Sequence, residues 1–137
     1  GEFAVFPIFL LVILMLWMGG FDIIYATQDE EIDRQMGLHS VPARFGRKRA
    51  LQIAFWSHIA MLALCVAFGF VWNMGIPWWV VTGLMAAAVL YIHLFRKSDD
   101  LDAMNRDFFL ANVAISVLVM AGLIVWICMG GDVNALY

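Results

Sequence analysis

Charged residues are scarce in this 137-residue sequence, and cysteines are scarcer still. Only 14% of the residues are charged and 64% are hydrophobic, whereas a soluble domain is usually about one-quarter charged. So few charges exclude an ordinary soluble domain, and no nucleic-acid partner is expected. The composition instead predicts an integral membrane protein whose surroundings are the lipid bilayer.

The two cysteines, Cys65 and Cys128, both lie inside apolar runs and form no C-x-x-C or Cys/His cluster. Buried, reduced thiols are therefore predicted rather than a metal or redox site. The sequence also lacks an initiator methionine and a signal-peptide pattern, and it begins almost directly with an apolar run. We expect it to be an excerpt of a longer protein.

Four apolar runs are each close to the roughly 20 residues that cross a hydrocarbon core of about 30 Å. They predict an all-α membrane fold in which residues 1–137 form a single transmembrane region. A polar cytoplasmic loop follows the first helix, and the four-helix unit is expected to be half of a larger helical bundle. The predicted spans cover residues 3–26, 50–71, 77–95 and 108–129.

The basic residues are confined to two connections between the predicted spans. All eight Lys and Arg lie within residues 27–49 and 96–107, and four spans place these two loops on the same side of the membrane. Cytoplasmic loops carry an excess of Lys and Arg, so this side is predicted to be cytoplasmic and both termini of the segment to lie outside. The expected location is the inner membrane of a bacterium.

A dense acidic stretch, GFDIIYATQDEEIDRQMGLHS, occupies residues 20–40 at the end of the first apolar run. On a single helix from residue 22 to residue 33, at about 100° per residue, four side chains share one face about 80° wide. Glu30 lies at the edge of that face and Glu31 points away, so both are expected to be solvated. The four residues of the predicted unit are Asp22, Tyr25, Asp29 and Asp33.

Asp29 and Asp33 are one helical turn apart, which places their Cβ atoms roughly 6 Å from each other. Two carboxylates at that distance repel by about 3 kcal/mol at an effective dielectric constant near 20. Mg²⁺ would turn this repulsion into binding, because carboxylates, water and substrate phosphates are its usual ligands. A solvated acidic loop is the alternative interpretation.

Basic side chains follow the acids within the same connection, and basic groups are suited to bind phosphate. Acids for Mg²⁺ next to bases for phosphate favour a diphosphate site at the cytoplasmic mouth of the bundle. The positive-inside rule alone would explain which side these residues occupy, but not a function. The basic residues are Arg44, Arg47, Lys48 and Arg49.

The stretch FDIIYATQDEEIDRQMGLHSVPARFG resembles the second aspartate-rich motif of the UbiA superfamily of intramembrane aromatic prenyltransferases, D-x-x-Y-A-x-x-D-x-x-x-D-x-x-x-G-x-x-S. Within the superfamily it is similar to the 4-hydroxybenzoate polyprenyltransferase-like branch, which includes relatives that serve menaquinone pathways. The resemblance covers the C-terminal half of such enzymes. The matching positions are Asp22, Tyr25, Ala26, Asp29, Asp33, Gly37 and Ser40, followed by Phe45 and Gly46.

The resemblance implies Mg²⁺-dependent transfer of a polyprenyl group from a polyprenyl diphosphate to an aromatic acceptor, such as 4-hydroxybenzoate in quinone biosynthesis. It implies that Asp29 and Asp33 bind the metal, and that Asp22 and Tyr25 act at the reacting centre. It also implies a set of side chains that bind the diphosphate: Arg44, Arg47, Lys48, His39 and Ser40.

The first acidic motif of the family, N-D-x-x-D-x-x-x-D, has no counterpart in this sequence. In the family the two motifs face each other and bind the diphosphate together. The resemblance therefore implies half of an active site. Either a missing N-terminal half or a partner chain is expected to carry the first motif.

Two other classes of protein agree less well with the sequence. CDP-alcohol phosphotransferases need a D-G-x-x-A-R element, which this sequence lacks. A non-enzymatic four-helix unit for divalent-cation binding or transport is the remaining alternative, and transport would require acids deep inside several spans. Among the polar residues within spans, His58 and Gln52 are expected to form interhelical hydrogen bonds, and His93 to lie at the cytoplasmic boundary.

Overall fold

A computed structural model of the protein describes residues 2–95, 100, 102–103, 105–107, 109–114 and 116–117. No strand occurs among these residues, so the predicted all-helical fold class is confirmed. A π-helical turn at Tyr91–Phe95 continues the fifth α-helix, and further described residues between 102 and 117 are also helical. The helices are α1 (Glu2–Ala26), α2 (Glu30–Gln35), α3 (Val41–Phe45), α4 (Arg47–Val71) and α5 (Ile76–Leu90).

Three of the described helical segments are long and apolar enough to cross a membrane: Pro7–Ala26, Arg47–Val71 and Ile76–Leu94. They coincide with the first three predicted spans, and the chain is an integral membrane protein. The fourth predicted span, residues 108–129, lies mostly outside the described residues, although 109–114 and 116–117 are helical. Cys128, Arg96 and Lys97 also lie outside the described residues.

α1 packs along α4 through one face of each helix. The buried positions of α4 recur every three or four residues, which is the spacing of a single helical face. Both helices are apolar on nearly every side, so their sequences do not indicate which face is buried. Buried side chains of this core are Ile13, Trp17 and Ile24 on α1, and Ala54, Met61, Cys65 and Phe68 on α4.

The turn between α4 and α5 is closed by two tryptophans that bond to the protein backbone. Trp78 Nε1 donates to the carbonyl of Cys65 at 3.0 Å, and Trp79 Nε1 donates to the carbonyl of Met74 at 3.2 Å. A Cβ atom at Gly69 would lie 2.8 Å from Trp79, so glycine allows the indole to approach α4. Both indole N–H groups are thus satisfied inside the fold.

Cys65 is a buried free thiol, as predicted.

The first and third polar connections meet at the same end of the bundle. Gln28 Nε2, in the segment after α1, donates to Asp102 Oδ1 at 3.1 Å. This contact agrees with the prediction that both loops lie on one side of the membrane.

His58 joins three elements inside the bundle. Its Nε2 lies 3.3 Å from the carbonyl oxygen of Trp17 on α1, and its Nδ1 lies 3.1 Å from Nε2 of His93 in the π-helical turn. The interhelical role expected for His58 is therefore seen. His93 was expected only at the membrane boundary, whereas the structure places it against the fully buried His58. Gln52 is exposed and forms no such bond to another described residue.

Candidate functional site

The acidic motif does not lie on one continuous helix, because α1 ends where the predicted first span ends. α1 stops at Ala26, and the backbone N–H groups of residues 27–29 each bond to a carbonyl three residues back. The buried Thr27 hydroxyl also donates to the carbonyl of Ile24 at 2.6 Å. These bonds tighten and end the last turn. The prediction of one continuous helix from residue 22 to residue 33 is therefore wrong, and so is the single 80° face derived from it.

The one-turn spacing of Asp29 and Asp33 is retained despite this break. Asp29 immediately precedes α2, and the N–H of Asp33 donates to its carbonyl at 2.7 Å. The side chain of Asp29 is exposed and makes no capping bond, and that of Asp33 is half-buried. Within the described part of the chain, neither forms an ion pair. Two carboxylates are thus placed one turn apart, and no described cation pairs with either of them.

Asp22 and Tyr25 lie on the last two turns of α1, away from the face that packs on α4. Both are exposed, Tyr25 by 52%, and the Tyr25 ring centroid lies 5.8 Å from that of Phe21. They continue a line of exposed side chains that recur every three or four residues along one side of α1. The preceding members of this apolar stripe are Ile8, Leu11, Met15 and Met18.

Glu30 is part of the folded site, which corrects the expectation that it is a solvated acid. Its side chain is only 14% exposed, and its carboxylate lies 2.7 Å from Arg34 Nη2 and 3.8 Å from Arg47 Nε. The contact with Arg34 lies within α2, whereas the contact with Arg47 ties α2 to the beginning of α4. Glu31 is exposed, as expected, and among the described residues it accepts one hydrogen bond, from Gln35 one turn away, at 3.4 Å.

Gly37 ends α2 by a backbone conformation that side chains disfavour. Its φ is +70°, its N–H donates to the carbonyl of Arg34, and the next N–H, that of Leu38, donates to the carbonyl of Asp33 at 2.8 Å. This is the Schellman C-cap, in which glycine is preferred because it has no Cβ. The glycine of the motif therefore stops the helix just after the second acid.

Ser40 and Gly46 mark the two ends of α3. Ser40 Oγ accepts a hydrogen bond from the N–H of Ala43 at 3.3 Å, which is the contact of an N-cap. Gly46 has a φ of +79° where α3 turns into α4. If Ser40 also binds the diphosphate, its hydroxyl must serve both the ligand and this cap. Sequence reasoning missed the caps, although Ser before V-P-A and Gly after a short helix are recognisable signals.

The remaining basic residues are exposed around α3 and the first turn of α4. The guanidinium carbon of Arg44 lies 5.4 Å from the centre of the Phe45 ring, and Lys48 and Arg49 lie in the first turn of α4. Within the described residues these three form no ion pair with an acid. His39 is exposed in the link between α2 and α3. This end of the molecule therefore offers positive side chains to an anion.

The acids of the described residues do not enclose a metal ion by themselves. No group of three or more His, Cys, Asp or Glu side chains is placed to hold one in the described ranges. Asp29 and Asp33 nevertheless supply hard oxygen donors, and no thiol or imidazole competes in the pair. This donor set fits Mg²⁺, which keeps several waters and is completed by substrate phosphate.

The fold and this polar end define a helical integral membrane protein with an acidic motif at the mouth of its bundle. The model of the UbiA prenyltransferase family matches residues 1–115, and the chain belongs to this family. The resemblance noted in the sequence is thereby confirmed. No solved structure matches the chain.

Similar curated proteins are named for prenyl transfer to 4-hydroxybenzoate. The 4-hydroxybenzoate octaprenyltransferase of Nitrosospira multiformis is 30% identical over 117 residues, which are 85% of this chain and 39% of that protein. The enzyme of the same name from Alkalilimnicola ehrlichii is 32% identical over 133 residues, 93% of this chain and 44% of its own. A 4-hydroxybenzoate geranyltransferase 2 of Lithospermum erythrorhizon is 26% identical over 110 residues, 80% and 35% respectively. The chain spans less than half the length of these relatives.

Proposed function

We propose that this chain carries part of the active site of a prenyltransferase, which moves a polyprenyl group from an allylic diphosphate to an aromatic acceptor such as 4-hydroxybenzoate. The observation that most supports this is the pair of acids one turn apart, which form no ion pair with a described residue and are followed by exposed basic side chains on α3 and the first turn of α4. Family membership supports prenyl transfer, and the names of the relatives support this acceptor. Quinone biosynthesis, leading to ubiquinone or menaquinone, is the proposed pathway.

In this proposal Asp29 and Asp33 would hold Mg²⁺, which would supply positive charge against the diphosphate group of the donor. Arg44 and Lys48 are exposed and contact the diphosphate as cations. Arg47 approaches it in an orientation set by Glu30. The link between α2 and α3 adds hydrogen bonds from His39 and Ser40.

Asp22 and Tyr25 are proposed to act nearer the reacting carbon, because they lie where the apolar stripe of α1 meets the polar end. The face of an aromatic ring stabilises a nearby cation, so Tyr25 favours cationic character in the allylic group. Asp22 orients the acceptor or accepts its proton. The stripe itself suits the hydrocarbon chain of the donor and keeps water from the reacting carbon.

The rest of the site is proposed to come from an N-terminal half or a partner chain that carries the first acidic motif. Two observations support this: the chain spans less than half of its relatives, and the described acids alone do not enclose a metal. We also propose the inner membrane of a bacterium as its location. Residues 27–49 and 96–107 are then cytoplasmic, and both ends of the segment lie outside.

Metal-dependent binding of a prenyl diphosphate tests this function. The native protein in lipid nanodiscs should bind a polyprenyl diphosphate when Mg²⁺ is present, and lose that binding when the metal is chelated. Asp29→Asn should abolish the metal-dependent binding. The matched control is Glu31→Gln, which neutralises an exposed acid of α2 and should bind the diphosphate as the unsubstituted protein does.

The outcome separates the proposal from the alternative of cation transport. The proposed site would be refuted if Asp29→Asn still bound the polyprenyl diphosphate, or if this binding did not depend on Mg²⁺. Mg²⁺ flux into proteoliposomes without any binding of the diphosphate would favour transport. Formation of a prenylated product from 4-hydroxybenzoate then establishes the acceptor.

A further inference from the structure

Gly20 on α1 lies directly against the ring of His58 on α4, shortly before the acidic motif. His58 is fully buried, and a Cβ atom built on Gly20 would lie 2.5 Å from its Nε2 and 2.8 Å from its Cδ2. Real Cβ atoms do not come so near, so any side chain at this position must displace the imidazole or the helix. The neighbouring Gly19 is a different case, because nothing lies within 4 Å of a Cβ built there.

The hydrogen bonds of His58 determine how its ring is protonated. The carbonyl of Trp17 can only accept, so the His58 nitrogen 3.3 Å away, Nε2, must carry the hydrogen. Nδ1 is then an acceptor, and Nε2 of His93, at 3.1 Å, donates to it. His93 in the π-helical turn therefore donates to His58 on α4, and His58 donates to the backbone of α1.

This chain of bonds is joined by two others at the same level of α1. Ser57 Oγ donates to the carbonyl of Leu16 at 2.9 Å, and Trp17 Nε1 donates to Asn112 Oδ1 at 2.7 Å. Apolar contacts between helices tolerate sliding and rotation, whereas hydrogen bonds have a direction and a length. The polar contacts of residues 16 and 17 therefore set both the rotation and the depth of α1, about one turn before Asp22.

The acids beyond the break are positioned by different contacts. α1 ends at Ala26, and α2 is tied to the beginning of α4 through Glu30 and Arg47. α3 also packs directly on α4. The contacts with α1 are fewer: the N–H of Asp29 bonds to the carbonyl of Ala26 at 3.2 Å, and α3 also packs on α1. A small rotation of α1 should therefore displace Asp22 and Tyr25, which lie on α1 itself, more than Asp33 on α2.

We propose that His58, seated against Gly20 and bonded to the Trp17 carbonyl, is a positioning residue that sets the location of Asp22 and Tyr25 relative to the bound diphosphate. This inference rests on the proposed prenyltransferase function. It separates two parts of the site: α1 determines the alignment of the reacting carbon and acceptor, and α2 with α3 determines the binding of the diphosphate. A shift of about 1 Å in such an alignment costs up to about 100-fold in turnover.

The test compares Gly20→Ala with the matched control Gly19→Ala in the native membrane protein. Gly20→Ala should lower kcat about 10- to 100-fold, with KM for the prenyl diphosphate and its Mg²⁺ dependence unchanged within about threefold. Gly19→Ala should leave both constants unchanged, because its methyl group meets no neighbour. A kcat for Gly20→Ala equal to that of Gly19→Ala would overturn the inference, as would an equal loss of kcat and diphosphate affinity.

Replacement of His58 provides a second test that does not depend on the folding of Gly20→Ala. His58→Gln keeps an N–H donor for the Trp17 carbonyl and should retain most of the turnover. His58→Leu has a similar size but no donor, and should lower kcat as Gly20→Ala does. Equal turnover of His58→Gln and His58→Leu would overturn the inference.

A double-mutant cycle assigns the effect to this contact. In a His58→Ala background, Gly20→Ala should cause no further loss of kcat, because the clashing ring is gone. Additive losses would overturn the inference. If the native protein without substitutions neither binds a prenyl diphosphate nor transfers its prenyl group, the proposed function is refuted, and this inference with it.

Discussion

The transmembrane bundle and its polar end are held together by different kinds of contact. In the bundle, α1 and α4 are joined by large buried side chains around Phe68, Met61 and Ile24. Between residues 27 and 46, two short helices are instead defined by caps, glycines at positive φ and the ion pairs of Glu30. The bundle should therefore be sensitive to lost volume, and the polar end to changes in backbone conformation and charge.

The largest expected effect is on the stability of the bundle. Phe68 is fully buried, with its ring 4.5 Å from Trp72 and 4.8 Å from Trp78 between centroids. Phe68→Ala should lower the free energy of unfolding by about 3–5 kcal/mol, because a cavity replaces the ring. Unfolding in detergent micelles measures this. Phe70→Ala, on the same helix but 74% exposed, is the control and should change little. Equal losses for both would contradict the description of the core.

The next effect is on catalysis without a loss of stability. Asp33→Asn should reduce turnover about 100-fold, equivalent to about 2.7 kcal/mol of transition-state free energy. Removing one of two adjacent negative charges relieves repulsion, so the free energy of unfolding should stay the same or rise. Steady-state kinetics and unfolding are measured on the same preparation. A marked loss of stability would show that Asp33 holds the fold rather than the metal.

A smaller effect on stability should follow from adding a methyl group at Gly37, where the backbone conformation alone disfavours a side chain. A Cβ at Gly37 meets no atom within 4 Å, so the cost of Gly37→Ala comes from its φ of +70° alone. We expect about 1–2 kcal/mol, seen as faster hydrogen exchange in α2. Gly37→Asn should cost less, since asparagine tolerates this conformation.

Gly83→Ala is the control for this substitution. It also meets no neighbour, but its backbone is helical, so alanine should be neutral or stabilising there. Equal hydrogen-exchange rates of the α2 amides in Gly37→Ala and Gly83→Ala would contradict the assignment of Gly37 to a C-cap.

The smallest effect separates two roles of Ser40. Ser40→Ala should destabilise α3 by about 1 kcal/mol through loss of the N-cap, and Ser40→Asn should restore it. Hydrogen exchange in α3 measures the cap, and KM for the prenyl diphosphate measures substrate contact. Unchanged exchange with a raised KM would assign Ser40 to the diphosphate instead of the cap.

The fold class was predictable because it depends on composition and run length. Apolar runs of about 20 residues form membrane helices whatever their neighbours, and the first three runs do so here. The end of the first span at residue 26 was predictable from run length, but the break that it makes within the acidic motif was not, since a continuous helix satisfied the spacing of the acids equally well. At this break the buried Thr27 hydroxyl bonds to the carbonyl of Ile24.

Within the candidate site, the pairing of Asp29 with Asp33 was predictable because it is a relation between residues four positions apart. The contact by which Glu30 ties α2 to α4 was not predictable, because Arg47 belongs to another helix. Ser40 was predicted only as a substrate ligand, although its position before a short helix is also that of a cap.

Composition and local spacing are enough to specify a helical membrane protein with its basic residues in two connections and two aspartates one turn apart. These properties depend on composition or on neighbours within one turn. Only the tertiary structure decided which face of α1 meets α4, that Glu30 turns toward Arg47, and that His58 bonds to a carbonyl 41 positions away. Helices that are apolar on nearly every side contain no pattern that selects a contact face, so packing between them makes that choice.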